Sequence, residues 1–92
     1  MSFVNNGATK PIRLSYHARG YFSRRGFTEA EVCDAIRTSP WRATRGPRWE
    51  TSKEFPYNTV WNGTFYAVKR VRPIFVEEAT EIVVVTVYTY FF

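Results

Sequence analysis

Tyr57-Asn58-Thr59-Val60-Trp61-Asn62-Gly63-Thr64-Phe65-Tyr66-Ala67-Val68 is two β-prone runs on either side of an Asn-Gly pair. Asn-Gly accommodates the positive φ angles of a type I′ turn, so the stretch predicts a tight antiparallel hairpin. Downstream, Pro73 interrupts the following run and implies an edge or a bulge there, because proline cannot donate to a ladder. Glu77 to Thr80 reads as a turn. Glu81 to Phe92 is the longest β signal of the chain, with Val83, Val85 and Val87 alternating with Ile82, Val84, Thr86 and Tyr88. Upstream, Gly46-Pro47 is a breaker, and Arg48 to Phe55 is a weak, mixed strand.

Before Trp41 the pattern is helical. Thr28-Glu29-Ala30-Glu31 is a capping box, with Thr28 as N-cap, Glu31 reaching back, and Phe27 and Val32 at the flanking staple positions. Val32, Ala35 and Ile36 then share one face. Pro40 stops this helix and biases Ser39 towards an extended conformation. An earlier helix is expected over Leu14 to Arg25, where Leu14, Ala18, Tyr21, Phe22 and Arg25 form a stripe, closed by Gly26 in the left-handed conformation.

Runs of helix followed by runs of strand indicate an α+β fold, an N-terminal helical hairpin packed on a three- to four-stranded antiparallel sheet. A single domain is expected over residues 14–92, after a short flexible lead-in over residues 1–13. Val83, Val85 and Val87 are expected to face the helices, with Thr86, Tyr88 and Tyr90 opposite. The reverse assignment stays open, because both faces are apolar near the centre.

With 92 residues the chain can bury one small core. It has no apolar run of about 18 residues, so no transmembrane helix is expected. The polar start from Met1 to Lys10 lacks the apolar core of a signal peptide. The one cysteine, Cys33, has no internal disulfide partner and reads as a core or half-buried thiol. A cytoplasmic location follows as the default. No metal site of ordinary ligand number is expected from one histidine and one cysteine, and no glycine-rich phosphate loop is present, so no cofactor is implied.

The net charge is +5, and the distribution says more than the total. From Met1 to Phe27 there is no acid. A second basic region holds Arg45, Arg48 and Lys53, and a third holds Lys69, Arg70 and Arg72. Arginine outnumbers lysine, which suits bidentate contact with phosphate. Tyr21, Phe22, Trp41, Trp49, Tyr57, Trp61 and Tyr66 interleave with these cations. The mixture fits an RNA or single-strand surface, where bases stack on rings. Its competitor is a solvated basic surface over an aromatic-rich core.

His17, the only histidine, precedes the Arg24-Arg25-Gly26 corner by about two helical turns. Cleavage of RNA needs a base for the 2′-hydroxyl proton, cations for the charge gathering on phosphorus, and an acid for the leaving oxygen. His17 is the candidate base or acid, since imidazole titrates near neutral pH; its competing reading is a residue that caps or packs at the start of the first helix and donates to a backbone carbonyl. Arg24 or Arg25 is the candidate phosphate holder, although Arg25 can equally pair with Glu29 or Glu31. Lys53, Arg70 and Arg72 can add phosphate contacts from the sheet.

His17-Ala18, Arg25-Gly26, the Thr/Glu-rich helix start and the closing Val84-Val85-Thr86-Val87-Tyr88 together resemble the small bacterial domain family called DUF four-two-five-eight. That family is similar to the RelE, ParE and BrnT toxins of the barnase-like ribonuclease group. The resemblance implies a RelE-like fold and adds Thr86 and Tyr88, from the closing motif, as polar contributors to the site. It also implies a metal-independent endoribonuclease of a toxin–antitoxin system, acting on RNA in the ribosome's context and held by a cognate antitoxin protein. The alternative is a non-catalytic nucleic-acid- or protein-binding module of the same fold. The apolar ending Tyr88 to Phe92 is expected within the sheet or at a subunit contact, which makes a homodimer through the C-terminal strand a further expectation.

Overall fold

A computed structural model describes residues 10–92 of the chain. Most of the expected lead-in, Met1 to Thr9, lies outside the described residues. Nine elements follow in order: β1 (Ile12–Leu14), α1 (Tyr16–Arg19), α2 (Phe22–Arg25), α3 (Glu29–Thr38), β2 (Arg42–Ala43), β3 (Arg48–Glu50), β4 (Lys53–Trp61), β5 (Thr64–Glu77) and β6 (Ile82–Phe91). Strand accounts for 49% of these residues and helix for 22%, so the sheet and not a helical hairpin organises the molecule.

The expected helical hairpin on a three- to four-stranded antiparallel sheet is therefore corrected. The sheet has six strands and is mixed, with the order β1-β6-β5-β3-β2 and with β4 also paired to β5. The single helix expected over Leu14 to Arg25 is instead a strand and two one-turn helices. Leu14 ends β1, which pairs in parallel with β6 through Ile12↔Ile82, Arg13↔Val83 and Leu14↔Val84. Ser15 then caps α1, its side chain accepting from the Ala18 N–H at 3.1 Å. Gly20 closes α1, and Tyr21 starts α2 without a side-chain cap. A periodic stripe across these residues hides the break, because Leu14 and Ala18 are both buried although they belong to different elements.

The capping box of α3 forms as read: the Glu31 N–H donates to Thr28 Oγ1, and the Thr28 N–H donates to Glu31 Oε1. Val32, Ala35 and Ile36 are its buried residues. The Asn-Gly hairpin also forms, with Trp61 paired to Thr64 and both Asn62 and Gly63 at positive φ.

β5 is the central strand, and Pro73 lies inside it rather than at an edge. Its partners on one side, β3 and β4, run in one continuous register, from Arg48↔Val76 to Pro56↔Val68. The same register places Thr51 opposite Pro73, and the Thr51 N–H donates to the Pro73 carbonyl at 3.3 Å. Proline has no N–H to return, so the ladder breaks there into β3 and β4. The bulge lies beside Pro73, where Ile74 pairs with Thr86 but Phe75 pairs with Val84.

That bulge also corrects the face assignment. Ile82, Val84 and Val87 are fully buried, whereas Val83 and Val85 are only half-buried. One extra residue in β6 shifts the alternation by one, so a strict period of two cannot be carried through it. The core joins these three to Leu14, Phe27, Val32, Ile36, Val71 and Phe75, beneath the helices. The opposite face carries Arg70, Arg72 and Ile74 of β5 beside Thr86, Tyr88 and Tyr90 of β6, with Arg72↔Tyr88 and Arg70↔Tyr90 directly paired.

Candidate nucleic-acid interface

β1 stops at Leu14, opposite Val84, and leaves the edge of β6 beyond it uncovered by a strand. The chain closes that edge with side chains and short helices. Ser15 donates its N–H to the Val84 carbonyl at 2.9 Å and its hydroxyl to the Val85 carbonyl at 3.3 Å. Arg25, at the end of α2, donates through Nη1 to the Val87 carbonyl at 2.9 Å and to Thr86 Oγ1 at 3.3 Å. Gly26 follows at φ 73°, which turns the chain into α3.

This edge brings the residues singled out as catalytic into one cluster. The His17 ring meets the Tyr21 ring edge-on, with centroids 4.9 Å apart. The Arg24 and Arg25 guanidiniums lie over the same Tyr21 ring at 5.1 and 4.0 Å. Arg25 also lies 5.1 Å from the centre of Tyr88, and Arg72 approaches that ring from the sheet at 4.9 Å. Arg72 reaches Tyr90 at 5.9 Å. The result is a ladder, His17–Tyr21–Arg25–Tyr88–Arg72–Tyr90, with Arg24 beside its start.

The charges along it are held by rings instead of carboxylates. Four arginines elsewhere on the surface are paired with carboxylates: Arg13 with Glu81, Arg19 with Glu29, Arg42 with Glu50 and Arg70 with Glu54. Arg24 and Arg25 have no such partner among the described residues, and the carboxylate oxygen nearest Arg72 is 3.9 Å away on Glu50. Glu29 and Glu31, read as alternative partners for Arg25, are taken by Arg19 and Lys69. A guanidinium lying on a ring keeps its full charge and its N–H donors at the rim, the arrangement that suits an anion.

The six sheet cations divide. Arg72 belongs to the ladder. Arg45 and Arg48 are exposed at the β2–β3 turn. Lys53 is held by Asp34 and the Thr38 hydroxyl, and Arg70 by Glu54. Lys69, expected at a nucleic-acid surface, is 6% exposed. It donates to the Gly26 carbonyl at 3.0 Å, pairs with Glu31 at 2.8 Å and lies over the Tyr57 ring, so it fastens the α2–α3 corner to the sheet.

The aromatic set is revised in the same way. Phe22, Trp41 and Trp49 pack on the core, and the Trp41 indole N–H donates to the Ile36 carbonyl. Tyr57, Trp61 and Tyr66 gather on Phe91. Of the rings read as stacking surface, only Tyr21 joins the ladder. Tyr90 was missed as part of this surface. Its signal was the spacing Tyr88, Tyr90, Phe92 opposite Arg70 and Arg72, which places rings and guanidiniums on one sheet face. Burial, with help from Glu29, pushes the Cys33 thiol up, so it stays protonated at neutral pH and makes a poor nucleophile.

Among the described residues no three of His, Cys, Asp and Glu cluster so as to hold a metal ion, and no helix is long and apolar enough to cross a membrane. The chain matches no family model, no curated protein and no solved structure.

Proposed function

We propose that this chain binds single-stranded RNA along the ladder and cleaves it with His17, as a small endoribonuclease of the toxin type acting in the cytoplasm. The observation that carries the reading is that Arg24 and Arg25 lie on the Tyr21 ring without carboxylate partners among the described residues, on the ring that also meets an exposed imidazole. In this scheme neutral His17 takes the proton of a 2′-hydroxyl. The 2′-oxygen attacks the adjacent phosphorus, the bond from phosphorus to the 5′-oxygen breaks, and the imidazolium returns the proton to that oxygen. A 2′,3′-cyclic phosphate and a 5′-hydroxyl result. Arg24, whose guanidinium lies over the Tyr21 ring that His17 also meets, offsets the charge that builds on the phosphoryl oxygens.

One observation favours the non-catalytic binding module instead. Arg25 spends its Nη1 donor on Thr86 and Val87, and the Thr86 hydroxyl accepts from it, so both act as positioning groups. Induced expression of the wild type and of His17→Ala, following growth and total RNA integrity, separates the two readings. Arrest with RNA cleavage, both relieved in a soluble mutant, supports the ribonuclease. Normal growth with intact RNA, while oligonucleotide binding persists, supports the module.

The antitoxin and the homodimer belong to the same proposal. Phe92 and Val68 exchange both backbone hydrogen bonds, so by alternation the groups of Thr89 and Phe91 point away from β5. That short edge, beyond Arg25, is where a partner's strand would add.

A further inference from the structure

We propose that the cleft beside Arg72 receives a single unstacked nucleobase, one bearing an exocyclic amino group, from the strand that the ladder holds. The inference rests on the RNA reading and names the part of that ligand it selects. The cleft, about 430 Å³, lies between the Pro40–Arg42 stretch and the Glu50–Ser52 stretch, with Arg72 in its wall.

Pro40 lines it, and both Pro40 and Pro73 interrupt the backbone pairing beside it. Pro73 leaves Thr51 without a return donor on the inner side, as described above. On the outer side, the β2–β3 register of Arg42↔Glu50 extrapolates to Pro40 opposite Ser52. Thr51 directs its N–H at β5, so the next residue directs its backbone groups outward, towards Pro40. Pro40 has no N–H, and its carbonyl accepts from the Thr51 hydroxyl at 2.8 Å. The Ser52 N–H and C=O thus have no partner among the described residues. Glu50 adds a second acceptor. Its Oε2 takes both Arg42 donors, while Oε1 has only Arg72, at 3.9 Å and beyond hydrogen-bond reach.

A concave site therefore gathers a carboxylate oxygen, a backbone acceptor and a backbone donor, flanked by guanidiniums. A phosphate would meet Glu50 there, whereas a planar heterocycle can match donors and acceptors together. Adenine, cytosine and guanine each bring an amino group to Glu50. Uracil presents an N–H between two carbonyls, whose lone pairs oppose the carboxylate. Arg72 connects the cleft to the ladder through its contact with Tyr88.

The test is fluorescence anisotropy with a labelled oligouridylate and with the same strand carrying one internal adenosine, cytidine or guanosine. The substituted strands are expected to bind about tenfold more tightly, and Glu50→Gln to reduce that difference to about twofold. Because Glu50→Gln also loosens Arg42, the wild type provides a second readout. The Ser52 amide resonance should shift on titration with a substituted strand and stay put with the parent. Equal binding of all strands, with the Ser52 amide unmoved, would overturn the cleft proposal while leaving the ladder. Absence of binding by every strand would remove the RNA reading and the cleft together.

Discussion

Tyr21 and Lys69 show how far a residue's type is from its role. Tyr21 was legible as part of a helical stripe, yet its ring is what gathers His17, Arg24 and Arg25. His17, Arg24, Arg25, Thr86 and Tyr88, singled out as candidates in the sequence, lie together around Tyr21 and the edge of β6. Lys69 could not be told from its neighbour Arg70, since a charge count holds no information on burial. Lys69→Ala is expected to destabilise the fold by about 3 kcal/mol in urea denaturation, because it strands the Glu31 carboxylate and the Gly26 carbonyl. It should leave RNA affinity unchanged where the protein is folded. His17→Ala is expected to do the reverse. His17 is exposed, so the stability change should stay within about 0.5 kcal/mol while cleavage is lost.

At the scale of elements, local chemistry was decisive wherever a signal closes on itself within a few residues. The capping box and the Asn-Gly turn are of that kind. The bulges in β4 and β6 are not carried by the alternation: the one in β4 falls between Pro56 and Thr59, where Asn58 has positive φ, and the one in β6 lies beside Pro73 of β5. Two glycines separate local strain from tertiary packing. Both Gly26 and Gly63 have positive φ, but an added Cβ at Gly63 meets open space, whereas at Gly26 it would stand 2.8 Å from the Trp61 ring. Gly63→Ala is expected to cost about 1 kcal/mol from backbone strain alone. Gly26→Ala should cost about 2 kcal/mol more, since the ring stacked on Phe91 must also move. Thermal denaturation of the two variants side by side checks the order.

For the whole molecule, the ladder makes a statement about salt. Binding of single-stranded RNA should weaken linearly in log–log form, and Arg24→Ala or Arg72→Ala should each lower the slope by about 0.7. Arg45→Ala at the β2–β3 turn should change it less, because that side chain lies off the ladder. Acid stability reports on another feature. Arg13 on β1 hydrogen-bonds Glu81 just before β6 and holds its carboxyl below the usual carboxylate range. The stabilisation is therefore fully present above the unfolded carboxylate pKa and is lost as the pH falls through the lowered folded value. Arg13→Ala should flatten that acid limb of a stability-versus-pH curve by lowering the neutral plateau slightly and leaving stability at low pH unchanged, the change being small because solvent screens the pair.

Sequence alone determined the features that depend on neighbours along the chain: the start of α3 at Thr28, the turn at Asn62-Gly63, the basic, arginine-rich surface and the candidate residues around His17. Tertiary structure decided the rest. It split the helix expected over Leu14 to Arg25, since Leu14 pairs with Val84 of β6 and the chain breaks again at Gly20-Tyr21, between α1 and α2. It set the face of β6 through a bulge, sorted the cations into paired, buried and ring-held groups, and opened a cleft where Pro40 and Pro73 flank Thr51 and Ser52. In each case the deciding partner lies far along the chain, and pairing across such distances is invisible to periodicity and composition.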